Sequence, residues 1–167
     1  MPKISAFDDK LVLGIDPGLS GAFVWFSPNG ITYEPMPLNA EKRVDFVQAQ
    51  ALIQKFPLDH VFIERAMPMA MGAKHAFNYG QDFKSLLLAL ELSFVSFTLI
   101  EPSKWTKVIH AGVSADLKPK AKSLVAAKRL VPKFLNELPK GKVSGKIDEG
   151  GLDALLIAYY GYHYLIK

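Results

Sequence analysis

The 167-residue sequence predicts a single α/β domain spanning 1–167, built as a mixed five-stranded sheet with helices on both faces. Two observations carry this. Three short β-type runs separated by turn signals open the chain, and after them segments of helical spacing alternate with compact apolar runs, the order that lays helices onto a sheet. Half of the residues are apolar, enough for one core that buries roughly two thirds of the unfolded surface. No internal repeat and no linker divides the chain.

Leu11 to Ile15 is an apolar run that stops at Asp16-Pro17-Gly18, and Ala22 to Phe26 is a second that stops at the turn Ser27-Pro28-Asn29-Gly30. They read as a hairpin, with Ile31 to Met36 as a third strand. Between Glu41 and Phe56, Val44, Val47, Ala51 and either Leu52 or Ile53 fall near helical spacing, and His60 to Ile63 then forms a buried strand. Ala73 to Leu92 predicts a helix after Gly72, and Phe94 to Ile100 a strand that ends before Pro102. Pro119 fits the first turn of a helix to Leu130, where Val131-Pro132 ends it. Residues 139–151, rich in Lys, Gly and Ser, predict a flexible loop, as does the charged start over 1–10. Leu152 to Ile166 closes the chain as an apolar helix.

Composition narrows the function. There is no cysteine, so neither a disulfide framework nor a thiolate zinc site is available. The sequence has no run of roughly 18 apolar residues, and its first ten residues lack a signal-peptide pattern. A cytoplasmic location without membrane association is expected. The net charge of +4 conceals an asymmetry: Pro102 to Lys146 holds eleven Lys or Arg against Asp116 and Glu137, so this segment is +9 and the remainder −5. A basic surface joined to an acidic remainder suits a polyanion-binding protein with an acidic pocket. A solvated lysine-rich face is the plainer alternative.

Four acids stand where chemistry would need them. Asp16 and Glu64 each end a buried strand, and a carboxylate beside an apolar run is costly unless it is paired or ligates a cation. Asp153 sits at the start of an apolar helix, and Glu149 would lie one helical turn earlier on the same face. Acids also act as turn residues and as helix N-terminal charges, so Asp16 and Glu149 each have a structural reading beside the functional one. Carboxylates without His or Cys clusters favour Mg²⁺ or Mn²⁺ over zinc. Four acids can hold two such ions about 4 Å apart, the arrangement for in-line hydrolysis of a phosphodiester.

The sequence resembles the RuvC family of Holliday junction resolvases, particularly its bacteriophage-type members. Leu13-Gly14-Ile15-Asp16-Pro17-Gly18 matches the family's first-strand motif and Val61-Phe62-Ile63-Glu64 its glutamate motif. The order continues through Asn78-Tyr79-Gly80-Gln81, Pro102-Ser103-Lys104-Trp105, a helix bearing Lys122-Ser123, and Asp153-Ala154-Leu155-Leu156-Ile157-Ala158, so the likeness runs from about Leu11 to Tyr160. It implies a ribonuclease H-like fold, a homodimer in a bacterial or phage-infected cell, two Mg²⁺ ions per active site with Mn²⁺ as a substitute, and paired symmetrical nicks in four-way DNA junctions. By the same resemblance Asp16, Glu64 and Asp153 are metal ligands, and Glu149 is the fourth, with Asp148 as the alternative. The family often carries an acid three residues before the last aspartate, where this chain has Gly150. Lys122 corresponds to a helix lysine near the scissile phosphate and Lys107 to another phosphate contact; Lys104, Lys118 and Lys120 extend the basic surface. Each also reads as an ordinary solvated lysine.

One departure concerns the base-opening residue. Three residues after the glutamate the family has an aromatic, and here Met67 takes that place within Met67-Pro68-Met69-Ala70-Met71. A flexible apolar side chain can wedge between bases but cannot stack as a ring does. Phe77 and Tyr79 offer rings just downstream, either for base contact or for core and interface packing. The apolar side of Lys84 to Leu92 is the candidate dimer helix. Alternative functions are a nuclease for flaps, other branched or single-stranded DNA, a structural DNA-binding protein, and an actin-like ATP-binding module suggested by Gly14 to Gly21. The last would need a second lobe that 167 residues cannot supply.

Overall fold

A computed structural model of the chain describes residues 10–65, 72–140 and 147–166. Five strands form one sheet: β1 (Val12–Asp16), β2 (Ala22–Ser27), β3 (Gly30–Pro35), β4 (His60–Glu64) and β5 (Phe97–Ile100), in the order β3-β2-β1-β4-β5. The first three run antiparallel as a meander, while β4 pairs with β1, and β5 with β4, in parallel. The sheet is therefore mixed, as the sequence predicts.

Alternation along the strands sorts side chains to two cores. Leu13, Ile15, Phe23, Trp25, Val61 and Ile63 face a core closed by α1 (Phe46–Ile53) and α2 (Ala73–Leu92). Val12, Val24, Phe26 and Phe62 face the other, closed by α3 (Pro102–Ile109), α4 (Pro119–Leu130) and α5 (Glu149–Tyr160). Helix α5 lies directly on β1: a Cβ added to Gly14 would stand 2.2 Å from the Ala154 carbonyl oxygen and 2.8 Å from the Ala158 Cβ. Only glycine at 14 lets the helix approach this closely, and that approach brings the head of α5 to the C-terminal end of β1.

Several element boundaries differ from the sequence expectation. Helix α1 begins at Phe46 instead of Glu41, because Asn39 accepts from the backbone N–H of Glu41 and Arg43, Lys42 takes a positive φ, and Asp45 caps the helix by accepting from Gln48 N–H. Its inward face is Ala49 and Ile53, whereas Val47 is 70% exposed and Ala51 is exposed. Phe94 is not in a strand: it follows the end of α2 with φ 53° and is 93% exposed, and β5 starts at Phe97. Of the expected loop over 139–151, residues 141–146 lie outside the described residues, while Lys140 is bridged to Ile147 and α5 starts at Glu149 instead of Leu152. The closing helix ends at Tyr160 and continues as one π-helical turn, Gly161–Leu165.

Helix α3 is not among the elements expected from the sequence, although its signals are present: Pro102 in the first turn and Trp105 and Ile109 buried four residues apart. No described helix is long and apolar enough to cross a membrane.

Candidate metal centre and nucleic-acid face

Strand register alone places the first two acids together. Ile15 pairs with Ile63 in the parallel β1–β4 ladder, so the next residues, Asp16 and Glu64, stand side by side at the C-terminal ends of adjacent strands. Period-two alternation puts Asp16 on the same face as Val12 and Gly14, and Glu64 on the same face as Phe62, the face covered by α5. The N-terminal half of α5, one turn beyond Glu149, then supplies Asp153. The crevice outside the carboxyl ends of parallel strands is where open α/β sheets place ligands.

This placement raises the pKa of the carboxyl groups electrostatically. Burial first, then the charges of Asp153, Glu64 and Asp148, together raise the Asp16 carboxyl to about 7 against one hydrogen bond from the Gly18 backbone. Glu64 is raised by burial and by Asp153, with the Trp105 indole opposing; Asp153 is raised by burial and by Glu149, with the Ser123 side chain and Lys120 opposing. Three half-buried acids, with Asp153 and Glu64 disfavouring ionisation of Asp16 and Asp153 that of Glu64, form a site with excess negative charge, which the Lys120 ammonium offsets at Asp153. An all-oxygen donor set of this kind fits a hard divalent cation of the Mg²⁺ type. Among the described residues no group of three acids closes on a single point as an ion would require.

The remaining acids divide by what they already do. Asp148 caps α5, accepting from Gly151 N–H at 2.8 Å and from the Tyr33 hydroxyl at 3.1 Å. Glu149 is exposed and pairs with Lys120. Gly150 packs beneath the first loop, where an added Cβ would lie 2.1 Å from the Ser20 carbonyl oxygen, so the family's acid three residues before the last aspartate has no room here.

The basic residues lie on α3, α4 and the loop between them. Lys104, Lys107, Lys118 and Lys120 are exposed and Lys122 is half-buried. Helical geometry separates the last two: Lys120 shares its face with Ser123 and carries its ammonium towards Glu149, Asp153 and Asp16, which raise its pKa, while Lys122 acts on His110. The lysine singled out by resemblance and the lysine facing the acids are thus different residues on one helix. Tyr79 is half-buried, and the charges of Asp16 and Glu64 reinforce the effect of burial in raising its phenol. Phe77 points outward at 65% exposure. Met67 lies outside the described residues.

Three residues not expected from the sequence contribute to the site: Trp105, His110 and Ser123. Trp105 donates to Glu64 Oε2 at 2.5 Å, and His110 Nε2 lies 3.2 Å from Ser123 Oγ. Trp105 and Ser123 stand within the family-like motifs, but nothing in a linear sequence joins them to acids far away in the chain.

Taken together, fold and acids define a ribonuclease H-like architecture with a carboxylate cluster at the strand ends. No protein-family profile and no curated protein sequence matches the chain. Solved structures do. Thermus thermophilus RuvC in complex with a Holliday junction substrate is similar at a TM-score of 0.64 and 14% identity, covering 93% of this chain and 94% of its own. A second T. thermophilus RuvC structure is similar at a TM-score of 0.54 and 13% identity over 91% of this chain and 97% of its own. The yeast mitochondrial Holliday junction resolvase is similar at 0.56 and 17%, over 91% and 77%. The chain has the RuvC fold.

Proposed function

We propose that the chain is a Holliday junction resolvase, a metal-dependent endonuclease that places paired symmetrical nicks in four-way DNA junctions. The observation that carries this reading is the meeting of Asp16, Glu64 and Asp153 at the strand ends of a fold whose solved neighbours include a RuvC bound to a junction. Mg²⁺ is the proposed cofactor, held by Asp16, Glu64 and Asp153 with Glu149 as the fourth acid; bound there, it would supply an activated water and charge stabilisation at the leaving oxygen. Asp148 is the weaker candidate because its carboxylate already caps α5.

The chain's own residues account for binding and placement. Lys104, Lys107, Lys118, Lys120 and Lys122 would track the phosphate backbone, a salt-dependent and sequence-independent term. Lys120, whose ammonium interacts with Glu149, Asp153 and Asp16, would neutralise phosphate charge beside the acids. Tyr79 borders the same acids and would orient the strand entering the site. A homodimer is part of the proposal, since two nicks related by symmetry need two sites. On α2 the described Leu88 and Leu92 remain exposed, while Leu86, Ala89 and Leu90 fill the chain's own core. The actin-like alternative gains no support, because the described residues form one sheet without a second lobe to close over a nucleotide.

The test pairs binding with cutting. With Mg²⁺ the parent should cleave a four-way junction, and Glu64→Gln should abolish cleavage while binding stays equal or tightens, because a charge repelling phosphate is removed. Normal cutting by Glu64→Gln would place the active site elsewhere.

A further inference from the structure

Helices α3 and α4 share a buried hydrogen-bonding layer directly behind the acids. Trp105 is 3% exposed and Ser123 4%, so both polar groups need partners within the protein. An indole N–H can only donate, and Trp105 spends it on Glu64 Oε2 at 2.5 Å. The Trp105 ring meets His110 edge-on, with centroids 5.9 Å apart and planes at 67°. His110 Nε2 lies 3.2 Å from Ser123 Oγ, and the Ser123 side chain hydrogen-bonds Asp153.

Donor counting fixes the direction of this chain of contacts. Ser123 has one hydroxyl proton; given to the Asp153 carboxylate, it leaves an oxygen that must accept from His110 Nε2–H. When Asp153 is ionised, His110 is the Nε2–H tautomer, donating towards it through the serine. The backbone around it is pinned: Arg129 donates to the carbonyls of Ile109 and Ala111, fastening the end of α3 to α4. Glu64 and Asp153 are thus each held from behind by a neutral donor, and the two donors are linked through His110.

We propose that Trp105 is a positioning residue for the metal-binding acids and that, with His110 and Ser123, it sets the Glu64–Asp153 geometry before a cation arrives. The inference rests on the metal-site reading above. Ligand-orienting partners of this kind change metal affinity by about 10- to 100-fold when removed.

The experiment is a titration of the full chain with Mg²⁺ alone, and separately with Mn²⁺, by calorimetry and by tryptophan emission. The chain has two tryptophans, Trp25 and Trp105. Mg²⁺ should alter the emission of the parent and of Trp25→Phe. Trp105→Phe, which keeps an aromatic ring and loses the N–H, should lose that signal and bind either metal about 10- to 100-fold more weakly by calorimetry. Its junction cleavage should recover at high Mg²⁺, an outcome that a general packing defect would not give. If Trp105→Phe fails to fold, replacement by 3-benzothienylalanine, an isostere without a donor, carries the same expectation. Unchanged metal affinity in a folded Trp105 variant would overturn the positioning role while leaving the metal site intact. Absence of Mg²⁺ and Mn²⁺ binding in the parent would overturn both readings.

Discussion

Replacing Asp16 by Asn isolates the electrostatic cost of the acid cluster. The amide preserves side-chain volume and an oxygen that can accept from Gly18, while removing one charge from a crowded set of acids. Burial, then Asp153 and Glu64, raise the Asp16 carboxyl from 3.8 to about 7. A raised acid is protonated in the folded chain at pH values where the unfolded chain has already released its proton. Stability consequently falls as pH rises from 3.8 to about 7, and the full penalty persists above that window. At about 1.4 kcal/mol per pH unit, the three-unit shift costs about 4 kcal/mol. Without metal, Asp16→Asn should match the parent near about pH 4 and exceed it by about 4 kcal/mol at about pH 8, a rise in Tm of about 8–16 °C for a chain this size. Mg²⁺ at about a hundred times its Kd should return about 2.7 kcal/mol to the parent and little to the variant. Thermal denaturation in EDTA across that pH range, repeated with Mg²⁺, reads both effects. A difference independent of pH, or a variant less stable than the parent at alkaline pH without metal, would refute the reasoning.

The other expectations concern the lysines and the helix that carries Asp153. Lys120→Ala should slow junction cleavage on the order of 100-fold, the scale for loss of one charge-stabilising donor, whereas Lys122→Ala should mainly weaken binding and lower the salt slope by about one. Single-turnover rates and affinities at several salt concentrations separate the two, and the reverse ranking would favour the lysine chosen by resemblance. Gly14→Ala should push α5 off β1, costing about 2–3 kcal/mol, a fall in Tm of about 4–12 °C. A Tm within about 1 °C of the parent would show that the helix yields without strain.

The sheet is legible in the sequence because its strands are compact apolar runs bounded by Pro, Gly and Asn, and strand ends are where acids beside such runs stand out. Asp16 and Glu64 are conspicuous for that reason from residue order alone, and Asp153 from its place at the head of an apolar helix. Boundaries set by side-chain hydrogen bonds are not legible: Asn39 and Asp45 delay α1, and Asp148 starts α5 three residues before its apolar stretch. The distinction between Lys120 and Lys122 depends on helical phase relative to α5, which spacing cannot supply without knowing which face packs. Gly150 is a puzzle in sequence with a simple answer in space, since the Ser20 carbonyl occupies the volume any side chain would need. The layer formed by Trp105, His110 and Ser123 depends on the packing of α3 and α4 on α5 and the hydrogen bonds between them, which no linear pattern encodes.

The most direct test of the account compares a mobile four-way junction, a flap, single-stranded DNA and linear duplex, each end-labelled, with Mg²⁺, Mn²⁺ or EDTA. Paired symmetrical nicks in the junction, lost in EDTA and absent from linear duplex, are the predicted result. Cutting confined to flaps or single strands, or junction cutting that persists in EDTA, would contradict it.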